Sequence, residues 1–226
     1  MNWLAHAQLL DSAFPIGAFS HSFGLETLVQ EGQIQTPAAL QCFCEAMLFG
    51  AWAPGEATAV KAVYAWAPSQ NFEELWEFDR ALHFARAARE SREGARKIGK
   101  RMLEMSRVLH PELDWMPLVE AISDGRAIGI YPTIYGWTCF HLGVLLERAA
   151  TGLLYVNLSG AVSNATRAMR LGQSDAQKII AALTPQIEIA WREVAARDPW
   201  EFETSTPQLE IAAMRHEGLY SRLFMS

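Results

Sequence analysis

The residues of this chain whose chemistry most needs testing are its histidines, its cysteines and the cluster Ser20-His21-Ser22. Cys42 and Cys44 are two positions apart, as are Cys139 and His141, and both pairs fall in helical patterns. A two-residue step turns a helix by about 200°, so neither pair points at one metal ion. None of the six histidines has a Glu three residues before it, which excludes the Glu-x-x-His di-metal pattern. His21 or His216 can each lend one ligand inside a complex, although a lone His is more often a hydrogen-bonded structural residue. Gly17-Ala18-Phe19-Ser20 lacks the Lys and the preceding strand of a phosphate-cradling loop. Ser20 and Ser22 beside His21 make a poor nucleophile and base, because sequence neighbours rarely align and no Gly-x-Ser-x-Gly elbow surrounds them.

What remains is a shaped loop, Phe14-Pro15-Ile16-Gly17-Ala18-Phe19-Ser20-His21-Ser22-Phe23-Gly24-Leu25-Glu26. Its three phenylalanines ask for burial while Pro15, Gly17, Ser20, Ser22 and Gly24 interrupt regular structure, so it leads, partly buried, into a helix starting near Ser20 to Ser22. Glu26 has two readings: a lock accepting N–H bonds from the Gly17 to Ser22 backbone, or a solvent-facing helix acid.

The elements that hold this loop read as helices throughout. Trp3, Leu4, Ala7, Leu9 and Leu10 share one face, and Leu25, Leu28 and Val29 another before Gly32. Thr36-Pro37 is a strong helix start, with Pro54-Gly55 expected to break that helix after Trp52. Ala57 to Ala67 follows, then a long region from Ser69 to Asn71 onward with a break expected between Leu82 and Arg86. Beyond it Ala88, Ser91, Ala95, Ile98, Met102, Met105 and Leu109 form a seam at three- and four-residue steps, opposite the basic residues. Pro111 ends that element, and a short helix spans about Trp115 to Ser123. An uncharged helix is expected from Pro132 to Leu145, another from Leu153 to Leu171 after a separation at Gly152, and a last one opened by a Ser174/Gln177 capping box. Thr184-Pro185 is expected to kink or restart that helix, which ends near Arg197.

No stretch alternates with period two, and the expected fold is all-α: one helical bundle of roughly nine to ten helices over residues 1–197. Asp198-Pro199 and Thr204-Ser205-Thr206-Pro207 read as a linker to an amphipathic tail, so residues 198–226 either pack back on the body or order on a partner. The partner is the favoured reading, because the linker offers little to fix the tail.

Composition narrows the function classes. Half of the 226 residues are apolar, only 19% are charged, and eight Trp and eleven Phe exceed what a small monomer exposes, which predicts an oligomer or obligate complex. Net charge is −6, against nucleic acid as the main ligand. From Arg86 to Arg107, however, eight basic residues face three acids, leaving that stretch +5 and the remainder −11. The basic face is either a solvated helix side or a dock for an acidic protein. Residues 127–146 carry no Asp, Glu, Lys or Arg, but their glycines, Pro132 and His141 favour a buried helix over a membrane span. Three free thiols and no signal-peptide pattern read as cytoplasmic.

Two motifs at opposite ends carry a family resemblance. Pro15-x-Gly17-x-Phe19-x-x-Ser22-x-Gly24-Leu25-Glu26 resembles the N-terminal signature of the urease accessory protein F family. Leu209-Glu210-Ile211-Ala212-x-Met214-Arg215-His216-Glu217, with Tyr220-Ser221-Arg222-Leu223-Phe224-x-Ser226, resembles its C-terminus. Ser91-Arg92-x-Gly94 and Leu171-Gly172-Gln173 fit between them. The resemblance implies an all-helical, non-catalytic chaperone of urease maturation that dimerises, binds the accessory D or H protein and recruits the accessory GTPase G to apo-urease. Pro15, Gly17, Phe19, Ser22, Gly24 and Glu26 would shape the loop or bind a partner. Arg215, His216, Tyr220, Arg222, Leu223 and Phe224 would form a partner-binding tail. No cofactor is expected to bind tightly, no residue is expected to hold metal, and nickel is passed on indirectly. Two other classes stay open: a helical-bundle enzyme binding metal or a cofactor through His21, Glu26 or His141, and a GTPase-activating regulator using an arginine of Arg86 to Arg107, or Arg215.

Overall fold

A computed structural model describes residues 3–225; Met1, Asn2 and Ser226, the last residue of the C-terminal motif, lie outside the described residues. All regular elements among the described residues are helical. Thr36 starts α3 (Pro37–Met47) as the spacing requires: its Oγ1 accepts from the Ala39 N–H at 3.1 Å, and Pro37 fills a position that needs no donor. Pro54 does not break the chain. Residues Leu48–Ala57 widen into a π-helical stretch that runs straight into α4 (Thr58–Trp66), because a wider turn accommodates both the missing N–H and the proline ring. α5 (Phe72–Ala85) ends where a break was expected, and α6 (Arg89–Leu109) follows after three residues.

α6 buries Ser91, Gly94, Ala95, Ile98, Gly99, Met102 and Ser106. The seam admits a close neighbour: a Cβ on Gly99 would lie 2.1 Å from the Gly129 carbonyl oxygen, so backbone meets backbone there. After the short α7 (Met116–Ser123), that neighbour leads into α8 (Tyr131–His141), which is shorter than expected. Gly143, at φ +68°, turns the chain, and α9 (Leu146–Ala168) begins before Gly152, which lies inside it against Tyr135 and His6. α10 (Gln173–Ala195) carries Pro185 within one continuous element; Gly172 stands at its N-cap with no side-chain bond, so the Ser174/Gln177 box is not formed.

Two apolar clusters meet across α9. Trp76, Phe78, Trp137 and Leu153 belong to one, and Leu40, Leu48, Leu154, Leu183 and Trp191 to the other. Polar anchors fix helix ends between them. The buried Asp79 carboxylate accepts from the N–H groups of Ile128 (2.6 Å), Gly129 (2.9 Å) and Ile130 (3.2 Å) at the start of α8. Burial pushes this carboxyl above its ordinary range, and the three N–H bonds act in the opposite direction. Lys61 donates to the Val194 and Arg197 carbonyls, each at 2.6 Å, and closes the end of α10.

The linker is held, contrary to the expectation drawn from its composition. Trp200 and Phe202 pack on Phe78 with ring centroids 5.5 and 5.2 Å away, Trp200 Nε1 donates to Glu74, and Ser205 N–H donates to the Gly50 carbonyl at 2.8 Å. It delivers α11 (Pro207–His216) onto α2 (Leu25–Gln30) and α6.

Candidate functional site

The loop, α2, the start of α6 and the last residues of the tail converge on one buried carboxylate. Glu26 is 1% exposed, and it does not close its own loop as the lock reading supposed. Its Oε1 accepts from Leu223 N–H at 2.7 Å and its Oε2 from Phe224 N–H at 3.1 Å, so it caps the end of the chain nearly two hundred residues away. The reason is local: α2 follows Gly24, and its first turn directs Glu26 inward beneath the tail, whereas the Ser22 hydroxyl contacts Glu26 N–H only at 3.4 Å. Gln30 donates to both Glu26 Oε1 and the Ser221 carbonyl, at 3.2 and 2.9 Å.

His216 joins this carboxylate to a second one. Its Nε2 lies 3.0 Å from Glu26 Oε2, its Nδ1 2.6 Å from Glu90 Oε2, and Arg222 donates to Glu90 Oε1 at 2.9 Å. Phe224 is buried with the Arg167 guanidinium 4.7 Å above its ring, a cation–π contact, and Arg167 also donates to the Phe19 carbonyl at 2.7 Å. Met225 N–H donates to the Ser20 carbonyl at 2.7 Å, which ties the tail to the loop itself.

The loop is shaped by two left-handed glycines. Gly17 (φ +77°) opens a short 3-10 turn at Ala18–Ser20, and Gly24 (φ +92°) precedes α2. At Gly24 a Cβ would sit 3.0 Å from the Leu209 carbonyl oxygen and 3.1 Å from Ala213 N, so α11 approaches there without room for a side chain. Phe14 and Ile16 are buried, Phe19 is half-buried and Pro15 is exposed, its carbonyl accepting from Arg101 at 3.2 Å. His21 is buried, its carbonyl accepting from Asn164 at 2.7 Å; burial first, and then Lys97, drives its imidazole down to about 4, so the ring is neutral. Beneath α11 lies a cavity of about 140 Å³, with Glu56 in its wall bonded to Arg86 at 2.9 Å and to Asn157 at 2.8 Å.

Thus Ser22, Gly24, Glu26, His216, Arg222, Leu223 and Phe224 are brought together, while Pro15 and Gly17 mark the far side of the loop. Arg215 and Tyr220 face outward, Arg215 lying 3.5 Å from Glu31. Chemically the assembly is a network of paired donors and acceptors, with Asn164 Oδ1 at its edge buried and without a hydrogen-bond partner among the described residues. Among the described residues no three His, Cys, Asp or Glu side chains stand close enough to hold a metal ion, and the buried thiols of Cys44 and Cys139 are pushed up to about 12 by burial. Among those residues, too, no helix is long and apolar enough to cross a membrane.

The model of the UreF family matches residues 34–184. The chain belongs to the UreF family. The urease accessory protein UreF of Streptococcus salivarius strain 57.I is 34% identical over 227 residues, covering 100% of this chain and 95% of that relative. Its namesake in Bacillus sp. strain TB-90 is also 34% identical, covering 97% of this chain and 96% of its own length. That of Arthrobacter sp. strain FB24 is 30% identical and covers 99% of this chain. Both end motifs lie outside the matched 34–184, and full-length similarity to the relatives carries them into the family.

Sequence reasoning missed Glu90, Arg167, Gln30 and Asn164 in this family member. Glu90 was legible only as one of three acids in a basic run, and the other three carry no motif at all.

Proposed function

We propose that this chain is a non-catalytic accessory protein of urease maturation, a chaperone that bridges the accessory D or H protein and the GTPase G. Through it nickel reaches apo-urease indirectly, and it works as a homodimer in the cytoplasm. Family membership supports the maturation role. The observation that carries the docking role is the outward face of the tail. While Glu26, His216 and Phe224 hold the segment from beneath, Ile211 (46% exposed), Met214 (46%), Tyr220 (106%), Leu223 (61%) and Met225 (53%) turn apolar surface to solvent. Apolar side chains gathered on one anchored segment favour a protein partner over a small molecule.

Co-expression with the accessory proteins and urease tests this. The full chain is expected to co-purify with the D or H protein and to support urease activation. Deleting residues 208–226, or the pair Tyr220→Ala and Leu223→Ala, is expected to abolish both, and full urease activity without the tail overturns the docking role. Size-exclusion chromatography with light scattering checks the dimer.

A further inference from the structure

The cavity of about 140 Å³ beneath α11 is lined by two buried side chains whose polar atoms have no partner among the described residues. Tyr131, at the start of α8, is 7% exposed and its hydroxyl is unpaired; Asn164, in α9, is 5% exposed and its Oδ1 is unpaired. The Asn164 amide cannot turn round to relieve this, because its Nδ2 already donates to the His21 carbonyl at 2.7 Å. The wall thus offers an acceptor at Asn164 and, at Tyr131, a hydroxyl that both donates and accepts. Buried groups of this kind are costly when left unbonded, so the site is matched to an occupant that bonds them.

The rest of the wall sets the charge and size of that occupant. Glu56 has both carboxylate oxygens engaged, Oε1 by Arg86 at 2.9 Å and Oε2 by Asn157 at 2.8 Å, and Arg86 balances its charge. A balanced wall favours a neutral occupant over an ion, whose desolvation nothing here would offset. Phe43, Leu82 and Ile98 are buried and present hydrocarbon. The space is about ten times what one water needs, and each buried water needs about two to four polar partners. With two unpartnered groups in a largely apolar wall, water alone would be short of partners. A cavity of about 150 Å³ in another protein takes a benzene ring.

We propose that this cavity binds a compact neutral molecule of benzene size that carries a hydroxyl or amide group, its polar end on Tyr131 and Asn164 and its apolar body against Phe43, Leu82 and Ile98. Leu209 and Ala213 of α11 line the same cavity, so the molecule touches α11 from beneath. A ligand that fits only while α11 is docked favours docking by the factor 1 + [L]/Kd. The tail is then held by an occupant of the cavity as well as by Glu26. The inference concerns the isolated chain and stands whether or not the tail meets the proposed partners; if it does, the ligand sets how readily the tail is offered.

The experiment uses the full chain labelled with ¹⁵N, with phenol as the probe and benzene as its counterpart without a polar group. Phenol is expected to shift the backbone amide resonances of Asn164, Leu209 and Ala213 saturably, and at lower concentration than benzene does. Trypsin cleavage at Arg215 and Arg222 is expected to slow about tenfold when phenol stands at about ten times its Kd. Tyr131→Phe, which removes only the hydroxyl, is expected to weaken phenol binding about threefold or more and to leave benzene binding unchanged. No saturable shift with phenol, benzene binding as tightly as phenol, or cleavage unchanged at saturating phenol overturns the inference. These three results come from the unmodified chain, so a poorly folding variant does not obscure them.

Discussion

Gly17 and Gly24 share a left-handed backbone and a loop, yet their neighbourhoods make them unequal. Nothing lies within 4 Å of a Cβ built on Gly17, whereas at Gly24 that atom meets the α11 backbone at 3.0 Å. Gly17→Ala should therefore cost only the left-handed penalty of about 1–2 kcal/mol, with the tail still docked. Gly24→Ala adds a clash with backbone that cannot rotate away, so α11 must lift. Urea titration together with limited trypsin digestion separates the two, since only Gly24→Ala should expose Arg215 and Arg222 to cleavage. Glu26→Ala acts from the other side of the same contact. It strands the Leu223 and Phe224 amides and the His216 ring, and bonds to a charged group are worth about 1.5–3 kcal/mol each. The expected result is cleavage at Arg215 or Arg222 faster by at least about tenfold, with far-ultraviolet circular dichroism unchanged. Unchanged cleavage would remove Glu26 from its capping role.

At the scale of elements, Asp79 is the clearest case of a helix start built by a distant side chain. Asp79→Asn keeps the shape but replaces two oxygens that accept three N–H bonds by one oxygen and an NH₂ group facing donors. A loss of about 1–3 kcal/mol per stranded buried N–H is expected, read as a lower urea midpoint with the slope unchanged. This anchor also shows where the sequence is silent. Thr36-Pro37 was legible because cap and helix are neighbours in the chain, and the α5 to α6 break lay where it was expected. Asp79, Arg167 and Asn164 bond backbone groups 49 to 148 positions away, and no local pattern marks such a pair. Pro54 misled for a related reason: the rule that proline stops a helix is local, and burial on both sides keeps the chain helical through a wider turn. The linker misled because Trp200 and Phe202 anchor it through Phe78, a contact set by the fold. In the candidate site, the loop and the tail were each readable as motifs. What could not be read was that the carboxylate of one holds the amides of the other.

For the whole molecule, pH acts through imidazoles buried in the body. Four histidines, His6, His21, His83 and His141, have their ring pKa lowered, in each case mainly by burial. A group depressed in the folded state takes up its proton more readily when the chain unfolds, so the stability it supplies is present above its unfolded value and lost as the pH falls. For His21 that window runs from the ordinary 6.5 down to about 4. The four rings lie on different elements, the first helix α1 (Trp3–Leu10), the loop, α5 and α8, so acidification loosens the body as a unit. The urea midpoint is therefore expected to fall steadily as the pH drops from about 7 toward 5, with the slope unchanged. His21→Asn should flatten part of that fall, since it removes the ring most strongly held neutral. A midpoint indifferent to pH across this window would show that burial does not govern these rings.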